Sequence, residues 1–348
     1  MLLNRDDIFK HCAQPEVLPC SQYQPTNVNL VSALTQRDTP CVMPQLVAEW
    51  PVVKAAKTSN AALCDYLLKF DQNVVVDALH LPASEHGRMF YNQDMSGFNF
   101  SRNRMPFRTV LQTLLEYQKN QDSDSLYVGS TTLETCLPGF LIDNPIYLDE
   151  LSPLGTLWIG NKSRIAAHYD APDNLICVAA GKRRVTLFSP EQVENLYIGP
   201  LHFTPAGQAI SMVDFSHPDF NRYPKFREAL KHALVVELSP GDALYIPSMW
   251  WHHVEGIEPI NMLVNFWWRT LPHYIGRGEN VLYHALLTLK QLPKAQRKAW
   301  QQLFNFYIFS DDPQRFEHIT ELKQGPLGNI DEKTLRQFSA WLANNLKQ

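Results

Sequence analysis

His168-Tyr169-Asp170 and Trp250-Trp251-His252-His253 are the stretches from which the fold of this 348-residue chain can be read. In a β-strand alternate side chains face one way, so His168 and Asp170 can address a single point. An imidazole and a carboxylate on one face are two ligands of a metal site. A later histidine folding back beside them completes a set of two His and one carboxylate. That set leaves octahedral positions open and suits non-haem Fe(II). Position 252 lies 82 residues after Asp170, beyond one hairpin but within reach of a barrel whose strands return. On a strand His252 and His253 face opposite ways, so one of them can bind, and spacing does not choose between them. A histidine and an aspartate two apart are by themselves a weak signal.

The surrounding pattern is that of an antiparallel barrel. Ser125–Val128, Gly155–Gly160, Ile165–Tyr169, Leu175–Ala180, Arg184–Ser189, Leu234–Leu238, Ala243–Pro247 and Met262–Trp268 read as strands. Gly181 and Ser239-Pro240-Gly241-Asp242 read as turns between them. Glu191 to Lys231 is a looser insertion with a small helix, the usual place for substrate contacts. Upstream, a short helix is expected over Asp6–His11 and a strand with its surroundings over Cys41–Met43 and Val47–Val53, with Trp50-Pro51 as an edge or ending. Ser59-Asn60 caps an expected helix over Ala61–Lys69, Asn73–Ala78 is β-branched, and Phe107–Gln118 has helical apolar spacing. After Thr270 the texture turns helical, over Asn280–Gln291, Ala295–Ser310 and Asp331–Lys347.

Composition narrows the function classes. A net charge of −4 with no long basic run argues against binding dominated by a phosphate backbone. None of the six cysteines forms a Cys-x-x-Cys pair, so reduced thiols in a reducing compartment, the cytoplasm, are expected. The N-terminus lacks the apolar core of a secretion signal, and no apolar run approaches the ~20 residues that span a bilayer.

The run from Gly160 to Arg269 resembles the JmjC-like cupin (cupin-8) hydroxylases, especially the group containing the factor-inhibiting asparaginyl hydroxylase. The resemblance rests on Ala167-His168-Tyr169-Asp170, Asn174, Gly181-Lys182-Arg183-Arg184, Leu187-Phe188-Ser189-Pro190, Val213-Asp214-Phe215, Pro240 to Pro247, Trp250-Trp251-His252-His253 and Val264-Asn265-Phe266-Trp267. It implies a mainly β fold with helices (α+β). A double-stranded β-helix, the jelly-roll or cupin core, is expected over 121–270. An N-terminal α/β flank over 1–120 and a helical region over 271–348 complete the expected organisation. It implies Fe(II) held by His168, Asp170 and His252, since the family places its third ligand directly after the second tryptophan. It implies 2-oxoglutarate as co-substrate with O2, and succinate and CO2 as co-products.

The family sets a lysine fifteen residues after its first histidine for the far carboxylate of 2-oxoglutarate. Arg183 stands there, with Lys182 and Arg184 as alternatives, and arginine is longer and planar. Tyr127 matches a tyrosine donating to the same carboxylate, and Asn174 and Asn265 match asparagines near metal and co-substrate. Two departures stand out. Ile165 replaces a threonine that hydrogen-bonds 2-oxoglutarate, and Ala209 and Ile210 replace polar substrate contacts. The resemblance therefore implies hydroxylation of an unidentified protein, peptide or small-molecule substrate, not asparaginyl specificity. The rival readings are a metal-binding cupin without turnover and a hydroxylase of transfer-RNA bases. Family members also dimerise through C-terminal helices, which makes 280–310 a candidate homodimer contact.

Overall fold

Short β-branched and aromatic runs separated by glycine, proline and asparagine turns fold as strands. The computed structural model describes residues 8–19, 29–205, 207–272 and 274–346. The expected helix at Asp6–His11 lies partly, and Cys20 wholly, outside the described residues. In chain order the strands are β1 (Glu16–Val17), β2 (Cys41–Met43), β3 (Val75–Leu81), β4 (Arg88–Met89), β5 (Ser101–Pro106), β6 (Ser125–Thr132) and β7 (Leu154–Gly160). There follow β8 (Ser163–His168), β9 (Asp173–Ala180), β10 (Arg183–Phe188), β11 (Leu234–Leu238), β12 (Ala243–Ile246), β13 (Trp251–Gly256) and β14 (Asn261–Trp268).

They form two sheets. One runs β1-β2-β12-β9-β14-β7-β6-β3-β5 and the other β11-β10-β13-β8-β4. From β7 onward the chain crosses repeatedly between them, and β8 pairs antiparallel with β13 while β9 lies between β12 and β14. This is the double-stranded β-helix of a cupin. Ile176, Leu244 and Leu263 of the large sheet meet Val185, Leu187 and Val254 of the small one in a buried layer. The outer face of the large sheet is covered by helices Pro51–Thr58, Asn60–Leu68 and Phe107–Tyr117, through Val52, Leu63 and Val110 among others. Residues between β10 and β11 cover the small sheet, where Phe215 and Phe226 pack on Phe188 and Trp251.

Among the departures from the sequence reading, two are instructive. Val47–Val53 is not extended. Pro51 opens a helix as its first residue, a position where the missing N–H costs nothing and the fixed φ is already helical. The apolar character of Val52 and Val53 reflects full burial on the helix face rather than a strand. Strand β5 went unread because Arg102, Asn103 and Arg104 are exposed on a sheet edge, where alternation carries no apolar signal. The cap was legible: the Ser59 hydroxyl accepts from Ala62 N–H at 3.0 Å.

The chain divides into two compact units, residues 1–268 and 269–348. The second contains helices Gly278–Thr288, Lys294–Tyr307, Glu321–Gln324 and Glu332–Asn345. Asp331 caps the last through Thr334 N–H, and Phe316 stacks on Tyr307 with centroids 6.0 Å apart. Among the described residues, no helix is long and apolar enough to cross a membrane.

Gly181, in the turn between β9 and β10, has φ +68°, and a Cβ there would lie 2.4 Å from the Ile260 carbonyl oxygen. Gly181→Ala is therefore expected to destabilise the protein by about 2 kcal/mol or more. Chemical denaturation measures this, and an unchanged midpoint would contradict the argument.

Candidate metal centre

Strand β8 brings His168 directly opposite His252 of β13. Between that pair and the next, Ile165 opposite Val254, β8 contains one residue more than β13, a bulge at Ala166-Ala167. Such bulges re-aim side chains and leave carbonyls to be satisfied elsewhere. Here the Ala166 carbonyl accepts from His168 Nδ1 at 2.9 Å, and the Ala167 carbonyl accepts from Ser211 N–H at 2.8 Å. His252 repeats the device, with Nδ1 3.0 Å from the Trp250 carbonyl. A carbonyl only accepts, so both Nδ1 atoms carry hydrogen and both Nε2 lone pairs are free to bind metal.

Asp170 reaches the site differently from the strand argument. Strand β8 ends at His168, and Asp170 sits in the loop before β9. That loop is tied to the turn preceding β13. The Asp170 carbonyl accepts from Met249 N–H at 2.8 Å. Asp173 Oδ1 accepts from Ser248 N–H at 3.0 Å and the Tyr245 hydroxyl at 2.9 Å. Ser248 Oγ donates to the Ala171 carbonyl at 2.6 Å. The turn that delivers His252 is thus bonded to the loop that delivers Asp170.

The ligand atoms of His168, Asp170 and His252 all lie within 4.8 Å of one another. His252 Nε2 is 3.5 Å from Asp170 Oδ2, and the two imidazole centroids are 4.4 Å apart. Two neutral nitrogen donors and one carboxylate oxygen are the donor set a divalent iron takes. Burial, reinforced by His168, pushes the His252 pKa down to about 4 against the pull of Asp170. His253 points away from this point. It is buried against the Phe215 ring at 4.6 Å, with Nε2 3.4 Å from Glu255.

The three ligands open on a cavity of about 600 Å³ that Tyr127, Trp158, Ile165, Asn174 and Asn265 also line. Beyond it, the Arg183 side chain is wholly buried, and none of its guanidinium nitrogens has a hydrogen-bond partner among the described residues. The buried Tyr127 phenol lies beside it. Burial raises the Tyr127 pKa while Arg183 opposes the rise, and burial lowers that of Arg183. A desolvated cation with only a neutral phenol beside it is costly, and a carboxylate is the group that relieves it. Of its neighbours, Lys182 is exposed and Arg184 pairs with Glu237 at 2.7 Å. Ile165 and Ile210 contribute apolar wall, and Ala209 is buried.

Asn174 and Asn265 are bonded to each other, Asn265 Nδ2 donating to Asn174 Oδ1 at 3.1 Å. Thr156 and Trp158, which donate to Asn265, and Trp267, which donates to Asp170, carry no functional signal in the sequence. Tryptophans in apolar runs read as core, and no spacing rule marks an indole N–H that points at a distant carboxylate.

Comparison with known proteins agrees with this geometry. The family described as cupin-like domain matches residues 27–274. HSPB1-associated protein 1 of Homo sapiens is 34% identical over 149 residues, 42% of this chain and 30% of its own length. Lysine-specific demethylase JMJ31 of Arabidopsis thaliana is 33% identical over 131 residues, 37% of this chain and 23% of its own. tRNA wybutosine-synthesizing protein 5 of Gallus gallus is 32% identical over 145 residues, 37% of this chain and 42% of its own. The matched stretches thus span less than half the length of these relatives.

The depressed His252 pKa fixes the sign of a pH effect in the metal-free protein. The unfolded chain takes up a proton near the ordinary imidazole value of about 6.5, and the folded one near 4. Between these values the unfolded state binds more protons, so stability falls as pH is lowered from about 6.5 towards 4. Urea denaturation across that range should show the fall, and His252→Gln should flatten it. An equal slope in both proteins would refute the assignment.

Proposed function

Since this chain belongs to the cupin-like domain family, we propose that it is an Fe(II)- and 2-oxoglutarate-dependent oxygenase that hydroxylates a protein side chain or small molecule. The carrying observation is one cavity with the His168, Asp170 and His252 donors at it and, behind Tyr127, a buried Arg183 guanidinium for which the described residues supply no anionic partner. Iron, 2-oxoglutarate and O2 bound there supply oxidation of an unactivated C–H bond, with release of succinate and CO2. His168 and His252 would hold the metal through Nε2, and Asp170 through its carboxylate. Arg183 would take the far carboxylate of 2-oxoglutarate, with the Tyr127 hydroxyl donating beside it. Ile165, Ile176, Val254 and Leu263 keep the intervening wall apolar and exclude water. Asn174 and Asn265 line the cavity beside these groups.

The substrate reading follows from the outer lining. Asp77 and Arg102 both face the cavity together with Thr204 and Pro205. One acid and one base at the mouth suit a side chain or metabolite better than a phosphate backbone. A transfer-RNA base remains the second reading, on the strength of the similarity to tRNA wybutosine-synthesizing protein 5. The described cysteines are free thiols, which supports work in a reducing cytoplasm. Exposed Trp300, Leu303, Trp341 and Leu342 on the C-terminal helices support a homodimer contact there.

Turnover is tested by anaerobic loading with Fe(II), then addition of 2-oxoglutarate and O2 and measurement of succinate. Asp170→Ala should abolish succinate, and Arg183→Met should raise the KM for 2-oxoglutarate about 100-fold or more. A metal-loaded protein that makes no succinate is a binding cupin. In sedimentation velocity the full chain should run as a dimer and Leu303→Glu/Trp341→Glu as a monomer; equal masses would remove the contact from these helices.

A further inference from the structure

Asp170 Oδ2 receives two hydrogen bonds from side chains outside the ligand set. Trp267 Nε1 donates at 3.2 Å, and Asn174 Nδ2 at 3.5 Å. Asn174 in turn accepts from Asn265, whose Oδ1 accepts from Trp158 Nε1 at 2.6 Å and from the Thr156 hydroxyl. Asn174 and Asn265 are buried, at 3% and 1% exposure, so no bulk water competes for their amides.

The chain of bonds has a forced direction. An indole can only donate and a carboxylate can only accept. With Trp158 at one end and Asp170 at the other, each amide between them has one admissible orientation. Turning either one over would set N–H against N–H or oxygen against oxygen in a buried site. Thr156 adds a second donor at the start of the chain, and Trp267 adds a second donor at its end.

We propose that Trp267 and the Trp158–Asn265–Asn174 relay are positioning residues that hold Asp170 Oδ2 as a hydrogen-bond acceptor and so fix the rotation of the carboxylate in which it meets the metal. This rests on the oxygenase reading of the site and adds to it a role for tryptophans that touch no ligand nitrogen. Without the two donors the carboxylate is free to turn about its Cβ–Cγ bond. Held by both donors, Asp170 would present its carboxylate to the metal in one orientation.

The test is metal affinity in the full chain, by anaerobic chelator competition with Fe(II), alongside the visible absorption of bound Co(II), which reports coordination geometry. Trp267→Phe keeps the apolar wall and removes the donor. It should bind Fe(II) about 10- to 100-fold more weakly and shift the Co(II) spectrum. Trp158→Phe removes the one group at the head of the relay that can only donate and leaves the Thr156 hydroxyl, which can donate or accept; without touching Asp170, it should shift the same spectrum in the same sense. If Trp267→Phe fails to fold, Asn174→Ala removes the other donor to the same oxygen and carries the test. Affinity and spectrum equal to the parent's in the folded variants would overturn the proposal. A parent protein that binds no Fe(II) would overturn the oxygenase reading, and this inference with it.

Discussion

The pairing of β8 with β13 is the contact on which the site depends. It sets His168 against His252 across two strands separated by most of the barrel sequence. Antiparallel register is strongly specified where one face is buried, because a slip of one residue turns every side chain to the other face. Here the same register that packs Val254 and Leu187 into the inter-sheet core also turns His252 to the cavity and His253 to Phe215 on the other face. Core packing and ligand selection are one choice. The bulge at Ala166-Ala167 then re-aims His168 without disturbing the register on either side, and its two carbonyls are taken up by His168 itself and by Ser211.

Around this pairing the polar groups divide into two kinds. Some are fully satisfied by the protein and hold geometry: Asp173 tying two turns together, and the amide relay that ends on Asp170. Others are left wanting a partner, above all the Arg183 guanidinium. Buried polar groups are nearly always paired, so an exception beside a cavity calls for an external partner. The chemistry of that partner is constrained. It must be anionic, small enough for a cavity of about 600 Å³, and able to reach from the ligand cluster towards Arg183. The proposed 2-oxoglutarate, a short dicarboxylate, meets all three conditions.

The insertion between β10 and β11 links the two halves of the cavity wall. It covers the small sheet with Phe215 and Phe226, satisfies the bulge through Ser211, and lines the cavity with Thr204, Pro205 and Ile210. Ile165 and Ile210, where the resemblance to the asparaginyl hydroxylase group implied polar residues, make this wall apolar. Ile165 and Ile210 both line the cavity, and the lining of a site is where proteins of one fold differ most.

Much of this is written in the sequence itself. Strand alternation, the turn at Gly181, the cap at Ser59 and the residue types of the ligand set follow from local stereochemistry, and local rules act on neighbours in the chain. Spacing left His252 and His253 equivalent, because a strand's faces have no inside until a partner strand supplies one. Strand β5 stayed hidden because an exposed edge needs no apolar pattern, and Pro51 read as an ending because the helix it opens is set by burial against a sheet formed later in the chain. Tertiary structure decided the bonds that cross between segments: Met249 to Asp170, Trp267 to Asp170, and the encounter of Arg183 with Tyr127. These join residues from 56 to 97 positions apart, and side-chain geometry across such distances exists only once the sheets have closed.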